Sequence, residues 1–101
     1  MKKILVTRRL LKTNEDRLKG LYETILNSND ELYSQQKLIE MSEGCHGILS
    51  ALTDKLDKET INKLPDSVKI LSNFAVGFGN IDLEAAKKKG IAVTNTPDVL
   101  T

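Results

Sequence analysis

Two glycines one residue apart follow an apolar run in Ala75-Val76-Gly77-Phe78-Gly79-Asn80-Ile81-Asp82, where a strand gives way to a helix. Consecutive backbone N–H groups around Val76-Gly77, at the carboxyl end of that strand, can form a nest for a carboxylate without any charged side chain. A dinucleotide fingerprint has the same strand, loop and helix context but places a third glycine where Asp82 stands. A carboxylate at a helix N-terminus repels a pyrophosphate, so Asp82 reads as the N-cap instead. Thr53-Asp54 lies just after another strand, on the sheet edge where open α/β sheets bind ligands. It is read equally well as a ligand contact or as an ordinary turn. Cys45-His46 sets two soft ligands side by side, but one Cys and one His cannot fill a tetrahedral metal site. They read as a small buried thiol and a solvated imidazole, and no nucleophile, base and orienter assemble around His46 from local sequence. Arg8-Arg9 and Lys87-Lys88-Lys89 read as solvated faces, the lysines offsetting a helix dipole.

The elements that must position these residues alternate along the chain. Ile4-Leu5-Val6-Thr7 is a short β-branched run bounded by charge, the pattern of a doubly buried strand. Thr13 and Asp16 have capping-box spacing, and Leu18, Leu21, Tyr22, Ile25 and Leu26 form one helical stripe that ends at Asn27-Ser28-Asn29-Asp30. Gly20 inside it is costly unless close packing on a sheet requires the missing side chain. Leu32-Tyr33 is either loop or a short edge strand. Ser34 caps a helix carrying Leu38, Ile39 and Met41 that stops near Gly44, and Gly47-Ile48-Leu49-Ser50 is a buried strand. Asp57 caps a brief helix with Ile61 and Leu64 inward, before Pro65. Val68 to Phe74 is a strand pattern. Asp82 caps a helix with Leu83 and Ala86 inward and Gly90 after its end, and Ile91-Ala92-Val93-Thr94 is the last strand. Alternating units with short connections pack as a parallel sheet with helices on both faces, so the class is α/β.

At 101 residues the chain has the size of one domain, residues 1–101. A net charge of +1 leaves no surplus for gripping a polyphosphate backbone or an anionic bilayer, so nucleic acid and membrane are not expected partners. Hydrophobic residues make up 40% and charged residues 29%, the balance of a globular core rather than of disorder. Four aromatics and no Trp leave that core to Leu, Ile and Val. One Cys excludes an internal disulfide framework, and Met1-Lys2-Lys3 runs directly into a strand rather than a signal segment, which reads as cytoplasmic.

Lys3 to Arg9, Gly47 to Asp54, Ile70 to Ala86 and Gly90 to Thr101 together resemble the N-terminal part of the D-isomer-specific 2-hydroxyacid dehydrogenases, in the branch of glyoxylate and hydroxypyruvate reductases and D-glycerate dehydrogenases. The likeness covers nearly the whole chain in order. It departs at Leu11, where many relatives have proline. The resemblance implies a flavodoxin-like substrate domain, an open parallel sheet of about five strands. In such enzymes it faces a Rossmann domain across a cleft that binds NAD or NADP. It also implies that backbone N–H groups of Val76 and Gly77 hold the substrate carboxylate, and that Leu52 lines the same pocket. The family's general-acid His, its acidic partner, its Arg and its Gly-rich loop lie far downstream; none matches a residue here, so no catalytic, cofactor-binding or metal role is assigned.

Hydride transfer needs a bound nicotinamide, a proton donor near the carbonyl oxygen and a cation to stabilise developing charge. The resemblance thus implies the substrate-binding part of an NAD(P)-dependent enzyme acting on a small 2-oxo or 2-hydroxy acid, inactive as this chain and without a cofactor of its own. Its expected partners are a 2-oxo acid carboxylate and the Rossmann domain of the same polypeptide. Pro97-Asp98-Val99-Leu100-Thr101 stops where the next turn of chain should form, and relatives complete the domain with a returning C-terminal helix. Uncovered apolar surface is therefore expected, with self-association or unusual mobility at the end that includes Thr96 to Thr101. The alternative is a stand-alone, non-catalytic small-molecule or protein-binding module with the same fold.

Overall fold

The computed structural model describes residues 2–51, 53–73 and 79–95. Five strands form one sheet: β1 (Lys3–Val6), β2 (Glu23–Ile25), β3 (Gly47–Ser50), β4 (Ile70–Asn73) and β5 (Ala92–Asn95). Their order is β2-β1-β3-β4-β5 and every neighbouring pair is parallel. Helices fill the crossovers: α1 (Lys12–Leu21), α2 (Gln35–Met41), α3 (Lys58–Lys63) and α4 (Leu83–Lys89). This is the flavodoxin-like arrangement, whose direction of winding reverses between β1 and β3.

Register decides which side chains share a face. Ile25, Leu5, Ile48, Leu71 and Val93 stand in one row across all five strands. Leu5, Ile48 and Leu71 are fully buried against Leu38 of α2, Ile61 of α3 and Ala85 and Ala86 of α4. The opposite face carries Ile4, Gly47, Ile70 and Ala92 in one row and Val6, Leu49, Ser72 and Thr94 in the next. There α1 is the covering helix, and none of its residues is buried. A groove of about 440 Å³ remains between Leu18 and Tyr22 on one side and Ile4, Leu49, Ile70 and Ser72 on the other. Ile70 is left 40% exposed. A Cβ on Gly47 would come within 2.8 Å of Ile70 Cγ2, so the absence of a side chain there leaves room for the Ile70 side chain beside it.

Local signals account for most boundaries. Ser34, Asp57 and Asp82 cap α2, α3 and α4, accepting from the N–H groups of Lys37, Thr60 and Ala85. Gly44 and Gly90 adopt left-handed backbone at φ 78°, the second ending α4. Lys89 departs from the solvated reading of its run: it is half-buried, and its Nζ donates to Ile61, Asn62 and Leu64 carbonyls at the end of α3. Leu83, expected inward, is 49% exposed; Ala85 is buried beside Ala86 instead.

The first helix departs furthest from expectation. It begins with Leu11 at the cap position, where no side chain accepts a hydrogen bond, while the Leu10 N–H is held by Glu15 Oε2 at 3.2 Å. Thr13 and Asp16 form no capping box. The helix stops at Leu21, and Ile25 belongs to β2, which pairs with β1. The apolar stripe misled because strand residues happened to continue a helical spacing. Leu32-Tyr33 is not a strand. Gly20 has no atom within 4 Å of an added Cβ, so no close packing requires it. Gly20→Ala should therefore stabilise the chain by about 0.5–1 kcal/mol in urea unfolding.

Candidate functional site

A polar residue closes each of the three central strands at its carboxyl end: Thr7 follows β1, Ser50 ends β3 and Asn73 ends β4. All three are buried, as is Asp54 in the turn after β3. Burying so much polarity is tolerable only if it is mutually satisfied. Thr7 Oγ1 donates to Asp54 Oδ2 in a short hydrogen bond, and the Ala51 N–H donates to the same oxygen at 2.9 Å. Asp54 Oδ1 has no hydrogen-bond partner among the described residues. Ser50 Oγ donates to Asn73 Oδ1 at 3.1 Å, and Asn73 Nδ2 donates to Asn80 Oδ1 at 2.8 Å. Asn27 reaches over from the end of β2, its Nδ2 donating to the Thr7 carbonyl at 2.9 Å.

Beside this lattice, at the switch point between β1 and β3, lies a cleft of about 280 Å³ walled by Thr7, Arg8, Ser50, Ala51 and Thr53. Arg8 is not the solvated cation its position suggested. Its Nε and Nη2 donate to the two carboxylate oxygens of Asp30 at 2.8 and 3.1 Å, and Nη1 donates to Thr53 Oγ1 at 3.0 Å. Asp30 sits at φ 51° and also accepts from the Arg9 N–H. Of the two readings of Thr53-Asp54, this geometry gives a structural part to both residues. Asp54 braces β1 against β3, and Thr53 anchors Arg8.

The Arg8 guanidinium, joined by the Arg9 N–H, holds the Asp30 carboxyl well below the usual carboxylate range. The Thr60 N–H lowers Asp57 in the same direction. A carboxyl whose folded value is depressed binds its proton more weakly in the native state, so its stabilisation is present above the ordinary value and lost as pH falls below it. The denaturant midpoint should thus fall as pH drops from about 5 to about 2. Asp30→Asn, which tolerates the same left-handed backbone, should flatten that dependence.

Burial pushes the Cys45 thiol up, and its side chain is wholly enclosed. His46 is half-buried rather than freely solvated, its Nδ1 accepting from the Lys3 N–H at 3.1 Å. Among the described residues no group of three or more His, Cys, Asp or Glu is placed to hold a metal. Nor do they cradle a dinucleotide: Asp82 occupies the N-terminus of α4, accepting from the Ala85 N–H at 3.0 Å. No helix among them is long and apolar enough to cross a membrane.

The residues expected to hold a ligand, Leu52, Val76 and Gly77, lie outside the described residues, as does the end that includes Thr96 to Thr101. What the structure supplies is the frame around the first three. Leu52 lies between Ala51 and Thr53, and residues 74–78 between Asn73 and Gly79. The residues that sequence reasoning missed are Thr7, Ser50, Asn73 and Asn80. The available signal was one polar residue closing each buried run.

A five-stranded parallel sheet with buried polar groups gathered at its carboxyl edge is an open α/β fold, whose ligands bind at that edge. Residues 4–101 match the model of the D-isomer specific 2-hydroxyacid dehydrogenase catalytic domain, and the chain belongs to that family. It is 34% identical over 99 residues to a glyoxylate reductase of Thermococcus onnurineus, covering 98% of this chain and 29% of that protein. Over 100 residues it is 34% identical to a glycerate dehydrogenase of Hyphomicrobium methylovorum, covering 99% of this chain and 31% of that one. A solved structure from Polaromonas sp. JS6 66 superimposes with a TM-score of 0.91 at 28% identity, over 99% of this chain and 31% of that chain. The chain spans about 30% of the length of the curated relatives it matches.

Proposed function

We propose that this chain is the substrate-binding part of an enzyme that transfers a hydride between NAD(P)H and a small 2-oxo or 2-hydroxy acid of the glyoxylate or hydroxypyruvate kind. The observation that carries the reading is the family match over residues 4–101, on a sheet whose carboxyl edge is a preorganised polar lattice. In this reading the backbone N–H groups of Val76 and Gly77 bind the substrate carboxylate and Leu52 lines the pocket. Fixed amide dipoles suit the task because they bind an anion without a mobile, hydrated cation having to be desolvated. The nicotinamide would supply the hydride. In this reading its site lies in a Rossmann domain of the parent polypeptide.

By itself the chain should bind and not react. Oxalate, which carries the same carboxylate beside a second oxygen pair, should raise the melting temperature in a concentration-dependent way, while chloride at equal ionic strength should not. NADPH oxidation with glyoxylate should remain at background. A melting temperature indifferent to oxalate at millimolar concentration would contradict the proposed clamp, and turnover by the chain would contradict the division of labour. The groove beside α1, with Ile70 exposed, supports the further expectation that the isolated chain self-associates. Sedimentation showing a monomer up to millimolar concentration would contradict that.

A further inference from the structure

The groove beside α1 has an apolar body and a basic end. Ile4, Leu49 and Ile70 of the sheet face Leu18 of α1 and Tyr22 just after it, around about 440 Å³. At one end stand Lys2, His46 and Lys69, close before or at the starts of β1, β3 and β4. Main-chain bonds hold these starts side by side. The His46 N–H donates to the Lys3 carbonyl at 2.7 Å, and the Lys69 N–H donates to the His46 carbonyl at 2.8 Å. His46 Nδ1 accepts from the Lys3 N–H at 3.1 Å, so the neutral imidazole carries its hydrogen on Nε2, a donor to spare. Lys2 and Lys69 enter none of the ion pairs among the described residues, and no Asp or Glu is among the residues lining the groove. This basic end lies at the amino edge of the sheet, opposite the buried polar lattice at its carboxyl edge.

We propose that this groove binds an amphipathic anion: an aliphatic chain of medium length along Leu18, Ile4 and Ile70, ending in a carboxylate at Lys2, His46 and Lys69. The volume falls in the range of small-ligand pockets, roughly 300–1,000 Å³. The apolar walls take the chain out of water, which is the source of affinity. The two lysines supply direction, since they are cations without a carboxylate of their own and stand at one end only. A wholly apolar occupant would leave that end unused, and a cationic one would set like charges together. The same apolar surface drives the self-association expected of the isolated chain, so the anion and a second copy compete for it.

The test is an amide-shift titration of the full chain with octanoate, compared with hexanoate, 1-octanol and acetate. Octanoate should move the Ile4, Leu18, Gly47 and Ile70 amides to saturation, and acetate should not. Hexanoate should bind about tenfold more weakly, because it buries two fewer methylenes. The alcohol, with the same chain and no charge, should also bind about tenfold more weakly. Lys2→Gln combined with Lys69→Gln changes two exposed side chains and should leave the fold intact. That variant should bind octanoate no better than 1-octanol. In sedimentation, octanoate should shift the wild-type chain toward monomer. Equal affinity of the wild type for octanoate and 1-octanol would overturn the proposal. So would movement confined to Val76 and Gly77, which would place the acid at the carboxylate clamp instead. Groove amides that respond to chain concentration and ignore octanoate would give the groove to a second copy, and would overturn it as well.

Discussion

Asp54→Ala should cost about 2–4 kcal/mol of stability, far more than a turn residue normally does. Asp54 is 1% exposed, and its Oδ2 is the shared acceptor for the Thr7 hydroxyl and the Ala51 N–H. Removing it takes the acceptor from the buried Thr7 hydroxyl at the end of β1, leaving it only the Leu49 carbonyl at 3.5 Å, and from the half-buried Ala51 N–H after β3. The asymmetry of hydrogen-bond energetics makes those orphaned groups more expensive than the bonds were worth. Asp54→Asn keeps an acceptor oxygen of the same shape and should recover at least half of the loss. Urea unfolding with an unchanged m-value is the measurement. A cost below about 0.5 kcal/mol for Asp54→Ala would mean that the brace across β1 and β3 contributes nothing.

Two adjacent residues of β4 should behave as if they came from different proteins. Leu71→Ala should cost about 2–5 kcal/mol, because Leu71 is fully buried in the row that packs on α2, α3 and α4. Ile70→Ala should cost less than about 1 kcal/mol, because Ile70 faces the groove beside α1 and keeps 40% of its surface exposed. The contrast tests the two-faced architecture directly. Similar costs at the two positions would mean that the α1 face is covered after all, for example by a second copy of the chain, and the concentration dependence of the Ile70→Ala effect would reveal it.

The parts of the fold legible in the sequence were those written in short-range chemistry. Asp57 and Asp82 announced helix starts because a carboxylate three residues ahead of an open N–H has few other uses, and Gly90 announced a helix end because left-handed backbone favours glycine. The doubly buried β1 and β3 were legible because Ile4-Leu5-Val6 and Gly47-Ile48-Leu49 are too short to be anything else. The edge strand β2 was not. Its Glu23-Thr24-Ile25 has one apolar residue, at a spacing that also extends the helix before it, and only pairing with β1 decides the matter.

The candidate site divides along the same line. Val76, Gly77 and Leu52 come from the family resemblance and from the glycine pattern, which is local. The lattice of Thr7, Asp54, Ser50, Asn73 and Asn80 spans sequence separations of up to 47 residues. No periodicity encodes such partners. Arg8 and Lys89 were misread for the same reason, since a cation on a short basic run looks solvated until a carboxylate or a row of carbonyls from another element meets it.

In the proposed function a small acid is held by the main-chain amides of Val76 and Gly77. Perturbing one such amide tests it most directly: Gly77→Pro removes the residue's N–H donor. Isothermal titration with oxalate should register binding to the wild-type chain and none to the variant, with the circular dichroism spectra of the two superimposable. Undiminished oxalate binding by a folded Gly77→Pro chain would contradict the claim.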